Sequence, residues 1–222
     1  MLRPLVASVL LLAPLASPSA AQLTTPSEWR WRTDRPARLV DEIAEPSGEW
    51  FFVGMPPGWH VTMGPGGVLY NPEYTARGRF EIRSEMILFA ESGESGFGIM
   101  FGGSSLEGGQ PSYMSFLIRR DGSWALMHTL GQELHTIHEW ERNEAIAPLR
   151  SEGTVSNTLA LEVTASEMIF RVNDVELGRL DKSPATTEGS FGFRVGAGLN
   201  MHITTLDLTA RLAAARGERT SN

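Results

Sequence analysis

Three histidines, His128, His135 and His138, stand close together with Glu133 and Glu139 and are the residues of this chain best suited to holding a metal ion. Zinc chemistry needs ligands that converge, and a reversed zincin-type pattern needs a helix to bring them to one side. Leu130 to Trp140 reads instead as a hairpin and rim loop, where a period of two sends His135 and His138 to opposite faces. No metal is expected here. Asn173-Asp174 offers oxygen ligands for a structural calcium, but its place between Phe170-Arg171-Val172 and Val175-Glu176-Leu177 reads as a hairpin turn. His60 and His202 read as isolated polar contacts, since no nucleophile elbow accompanies either. The chain has no cysteine, which excludes thiol catalysis, thiol redox chemistry and thiolate metal sites. No cofactor is expected.

A second kind of chemistry, recognition without turnover, has more material. Sugar binding wants flat aromatic surfaces for C–H faces, and forked donors or carboxylates for hydroxyls. Read at period two, Tyr113, Arg119, Arg83, Arg194 and Glu85 face away from the interior. Trp59, Tyr70, Asn71 and Trp140 fall near turns at the rim. Gly98, Gly102 and Gly192 lie on outward positions, where a missing side chain would let a ligand approach the sheet.

The elements that would carry these residues are strands. From Trp50 to Thr209 the sequence alternates apolar and polar residues between turn signals such as Pro56-Pro57-Gly58, Asn71-Pro72 and Asp121-Gly122. Asp121-Gly122 predicts a two-residue primed hairpin turn. Met114, Phe116 and Ile118 share one face, as do Leu159, Leu161 and Val163, then Met168, Phe170 and Val172, then Phe191, Phe193 and Val195. Half-buried strands of this kind pack as two antiparallel sheets face to face, so the fold class is all-β, a two-sheet β-sandwich. A short helix is expected over 141–147 and a frayed one over 210–216.

The organisation predicted is a signal peptide at 1–21, an N-terminal arm at 22–49, the sandwich at 50–209 and a polar C-terminal tail at 210–222. Arg3, the apolar run Leu5 to Leu15 and the small residues Ser19-Ala20-Ala21 predict cleavage before Gln22, hence a secreted or periplasmic protein. That apolar run falls short of the ~20 residues that cross a bilayer, so no transmembrane segment is expected in the mature chain. Trp29 and Trp31 share one side of a short strand within the arm. A net charge of −7 disfavours nucleic acid as a partner.

The stretches Gly58-Trp59-His60-Val61-Thr62, Leu69-Tyr70-Asn71-Pro72, Gly98-Ile99-Met100-Phe101-Gly102-Gly103, Phe116-Leu117-Ile118-Arg119 and Phe170-Arg171-Val172-Asn173 resemble the concanavalin A-like lectin and glucanase domains. Closest in flavour are the laminin G-like and 3-keto-disaccharide-hydrolase-like domains of secreted bacterial proteins. The resemblance covers about Trp50 to Thr209 and implies a jelly roll whose face or rim binds carbohydrate in many members, across lectins, hydrolases and interaction modules alike. It also implies a place to look for catalysis. Laminarinase-type members carry E-x-D-x-E on one strand, and Glu81-Ile82-Arg83-Ser84-Glu85 matches the outer spacing. Arg83 replaces the intervening aspartate, and a guanidinium there favours ionisation of both glutamates, whereas a retaining glycosidase must keep one protonated.

The functional expectation is a carbohydrate-binding or envelope interaction module, with a glycan or envelope polysaccharide as partner. The alternatives are a glycoside-acting hydrolase using Glu81 and Glu85, and a structural or protein-interaction domain without a small ligand.

Overall fold

In the computed structural model, residues 26–34, 37–40 and 51–211 are described; for 37–40, 184 and 185 only the backbone is. The predicted signal peptide, most of the arm, and the tail beyond Arg211 with its frayed helix lie outside the described residues.

In chain order the first strands are β1 (Arg30–Asp34), β2 (Ala37–Val40), β3 (Phe51–Gly54), β4 (Trp59–Met63), β5 (Gly67–Ala76), β6 (Phe80–Phe89), β7 (Phe97–Ser104) and β8 (Ser112–Ile118). There follow β9 (Ser123–Leu130), β10 (Glu133–Arg142), β11 (Thr154–Val163), β12 (Glu167–Val172), β13 (Val175–Asp181), a single turn of helix α1 (Pro184–Thr187), β14 (Gly189–Val195), β15 (Leu199–Ile203) and β16 (Asp207–Ala210). Every pairing is antiparallel. One sheet runs β13-β12-β11-β6-β15-β4-β3, with β16 also on β6; the other runs β10-β9-β8-β7-β14-β5-β1-β2. The fold is the all-β, two-sheet jelly-roll sandwich.

Period two explains why these segments are strands. In β6 the buried residues alternate strictly, Phe80, Ile82, Ser84, Met86 and Leu88 facing in, Glu81, Arg83 and Glu85 facing out. The inward sets predicted for β8, β11, β12 and β14 all lie in one core. Phe170 of the first sheet meets Phe116 of the second at 5.2 Å between ring centroids. At the other end Trp29 stacks on Phe193 at 5.2 Å and touches Phe52 and Trp59. Burial of these large side chains, at about 25 cal/mol per Å² of apolar area, holds the layers together without disulfides.

Two local features differ from the sequence expectation, while the hairpin turn expected at Asn173-Asp174 forms. Asp121 has negative φ while Gly122 sits at φ 84°, and Arg119 pairs with Ser123 across the turn, so this hairpin closes through three residues with glycine in the left-handed position. The primed two-residue turn is Asn173-Asp174, at φ 51° and 66°, between the paired Val172 and Val175. Residues 141–147 form no helix: β10 runs to Arg142, and turns follow, with Ala147 bonded through both its N–H and C=O to the buried Asn157 side chain. No described helix is long and apolar enough to cross a membrane.

Residues 29–34 belong to the sandwich. Trp29 and Trp31 are buried in the core, and β1 pairs with β5 in the interior of the second sheet, leaving β2 outermost.

Candidate functional site

The outer face of the second sheet carries a groove of about 480 Å³. Its walls come from chain segments far apart in sequence. β1 gives Arg32 and Asp34, the turn before β5 gives Pro65 and Gly66, β8 gives Tyr113, β9 gives Thr129, the β9–β10 turn gives Gln132, the start of β10 gives Glu133, and β14 gives Arg194.

Strand register sets the floor. Arg32 and Arg194 both pair with Val68, from opposite sides, so the two guanidinium groups rise from one line across three strands. Val68, Tyr70, Met100, Leu106 and Tyr113 form a buried apolar cluster on this outer face, separate from the core between the sheets. Tyr113 is 5% exposed and is held against that cluster.

Arg194 donates from both terminal nitrogens to Asp34, Nη1 to Oδ1 at 2.9 Å and Nη2 to Oδ2 at 2.6 Å. Such a forked pair fixes both groups in one plane and leaves carboxylate lone pairs free to accept from further donors. Burial works against the Arg194 charge; attraction to Asp34, then to Tyr113, outweighs it, so the pKa is raised and the group stays cationic. Arg32 is held differently. Its Nη1 donates to the carbonyls of Leu106 and Gly108 at 2.8 and 2.9 Å, pinning the β7–β8 loop, and among the described residues it has no carboxylate partner.

Of the residues singled out from sequence, Tyr113 and Arg194 meet in this groove, and the others are distributed elsewhere. Arg119 lies over the ring of Trp140, 3.5 Å from its centroid, and the far edge of that ring rests where a side chain on Gly96 would stand. One face of Trp140 is thus taken by the chain itself. Tyr70 borders a smaller cavity of about 270 Å³ beside Leu106, and the Asn71 side-chain oxygen Oδ1 accepts from the Glu73 N–H at 2.9 Å within β5. Trp59 belongs to the first sheet and packs on Trp29 and Phe193.

Glu81, Arg83 and Glu85 stand on the outer face of the first sheet, across the full thickness of the sandwich from the groove. Arg83 donates to Asp174 at 2.7 Å, Glu81 faces Arg211 at 3.4 Å, and Glu85 accepts from the Ser156 hydroxyl at 2.9 Å. Asn173 is equally engaged, donating to the Ala145 carbonyl and to Asn157 while accepting from the Thr158 N–H.

The histidines hold a surprise of register. A β-bulge in β10 between Thr136 and His138 sets His135 opposite His128 and His138 opposite Leu126, so both point to the same face, contrary to the simple alternation. They still diverge: His138 stacks on Trp124 at 4.0 Å, while His135 pairs with Glu133 at 3.3 Å. Among the described residues no three such side chains converge as a metal site would require.

The outward glycines answer to backbone. A Cβ on Gly98 would meet the Phe116 carbonyl oxygen, one on Gly192 the Leu69 carbonyl oxygen, and one on Gly102 the Thr186 carbonyl oxygen. Close neighbours within the chain, rather than space for a ligand, account for all three.

Sequence reasoning left out Arg32 and Asp34. The signal was present in Trp29-Arg30-Trp31-Arg32, where two buried tryptophans at period two oblige the arginines to face outward.

No family model matches the sequence, and no curated protein matches it. Solved structures do. A carbohydrate-binding module, CBM66 of Bacillus subtilis, superposes with a TM-score of 0.58 at 10% identity, covering 81% of this chain and 95% of that one. A GH16 protein of the Bacteroides ovatus mixed-linkage glucan locus, solved in complex with a G4G4G3G product, gives 0.52 at 9% identity over 85% and 97%. A Bacillus subtilis protein of unknown function with a galectin-like fold gives 0.52 at 12% identity over 82% and 88%. At such identities the likeness establishes the fold alone: an antiparallel two-sheet jelly-roll sandwich.

Proposed function

We propose that this chain is an exported carbohydrate-binding module that takes a glycan segment into the groove between β1, β14 and the β9–β10 turn. The observation carrying this reading is the meeting of the Arg194–Asp34 fork with the Tyr113 ring in one recess of about 480 Å³, a size within the ~300–1,000 Å³ of small-molecule sites. The fork is rigid, so little order has to be imposed when hydroxyls bind it. Tyr113, Thr129 and Gln132 add an aromatic edge, a hydroxyl and an amide. The similarity in fold to a carbohydrate-binding module supports the reading as analogy. The hydrolase alternative is weaker, because Glu81 and Glu85 have Arg83 between them and both already hold partners.

The test is a glycan array followed by affinity electrophoresis. Retention on at least one polysaccharide is expected, and Tyr113→Phe and Gln132→Ala should each weaken it while leaving thermal unfolding nearly unchanged. An array with no signal would remove the proposal. Amino-terminal sequencing of the protein recovered outside the cytoplasm should start at Gln22.

A further inference from the structure

The two arginines of the groove differ in one respect that bears on ligand choice. Arg194 is neutralised by Asp34 at 2.6 and 2.9 Å. Arg32 is not: its Nη1 is used on the carbonyls of Leu106 and Gly108, and its Nε–Nη2 edge makes no hydrogen bond among the described residues. Two backbone carbonyls hold the guanidinium plane without cancelling its charge. The remaining carboxylate of the groove, Glu133, turns to His135 at 3.3 Å, and its side chain is 76% exposed.

From this asymmetry we infer that the groove prefers acidic saccharides, with the unpaired edge of Arg32 receiving the sugar's carboxylate and the Arg194–Asp34 fork receiving neighbouring hydroxyls. The inference rests on the glycan-binding reading above. The chemistry is bidentate recognition, two parallel N–H···O bonds between a planar guanidinium and a planar carboxylate, which a lysine could not reproduce. A sugar carboxylate also supplies the negative charge that none of the described residues gives Arg32. The overall charge of −7 opposes approach of an acidic polymer at long range, so the preference belongs to contact inside the groove.

The experiment uses matched ligands. Oligomers of galacturonate and the same oligomers with their carboxyl groups reduced to primary alcohols are titrated calorimetrically against the mature protein, with sialylated oligosaccharides as a second source of carboxylate. Galacturonate or sialoside should bind about tenfold more tightly than the neutral counterpart, the size of one charge-assisted contact. Arg32→Gln and Arg32→Lys should both erase that ratio. Because Arg32 also pins the β7–β8 loop, thermal unfolding of each variant is recorded alongside, and the comparison of ligands on the unaltered protein stands whatever the variants do. Equal or tighter binding of reduced oligomers overturns the inference and leaves the glycan-binding reading intact. Failure of every saccharide to bind overturns both.

Discussion

Asp34 and Arg194 lie 160 positions apart in the chain and are joined by two hydrogen bonds of 2.9 and 2.6 Å, so the strand that opens the described sandwich is fastened across β5 to one of the last. Replacing Asp34 by Asn keeps the shape and removes the charge. Asp34→Asn should cost about 1 kcal/mol, as befits a forked pair whose partners are only partly shielded from water, read as a lowered urea midpoint. It should also leave Arg194 uncompensated and shift the ligand preference further toward acidic saccharides.

Gly102 sits at φ 62° with the Thr186 carbonyl oxygen where a Cβ would go. Gly102→Ala is expected to lower stability by about 1–3 kcal/mol through strain and displacement of α1. If instead the glycine served ligand access, the variant would melt normally and lose only binding; calorimetric unfolding and titration on the same sample separate the two.

Asn157 is 2% exposed and ties three segments, accepting from the Ala147 backbone N–H and the Asn173 side-chain amide and donating to the Ala147 carbonyl. Asn157→Ala strands these partners in a dry site, so a loss of about 2–3 kcal/mol is anticipated in chemical denaturation. Unchanged stability would show that the loop after β10 does not depend on this side chain.

The pKa of His60 is pushed below its ordinary 6.5, first by burial and then by His202 facing it, with an Asn200 hydrogen bond opposing. The unfolded chain therefore takes up the proton more readily than the folded one. Stability from the neutral ring is complete above about pH 7 and is lost as pH falls through the unfolded value towards the depressed folded one. His128 is lowered in the same sense, by burial and by His135. Melting temperature should accordingly drop between pH 7.5 and 5.5, and His60→Phe, which keeps the stack on Phe51, should remove part of that drop.

Alternation in the sequence told inside from outside reliably, because burying one face of a strand is a local requirement that every second residue must meet. Phe116, Leu161, Phe170 and Phe193 are all where that rule sends them. The rule is silent on which of two outer faces a residue joins. Glu81, Arg83 and Glu85 look like companions of Tyr113 and Arg194 on paper, yet the first three decorate one sheet and the last two the other. Bulges are the second blind spot, since one inserted residue at Ile137 reverses the facing of His138 without any mark in composition. Turn type is the third: Asn173-Asp174 adopts two positive φ angles without any glycine, helped by the contacts of both side chains, whereas Asp121-Gly122 does not.

Because β1 is threaded between β2 and β5, trimming the chain at the point where regular alternation begins, just ahead of Phe51, would be a poor economy. The shortened protein would bare a long seam along β5, lose the two tryptophans that plug one end of the interior, and forfeit an entire bank of the recess proposed to take a saccharide. What reads as a leader to the domain is one of its keystones.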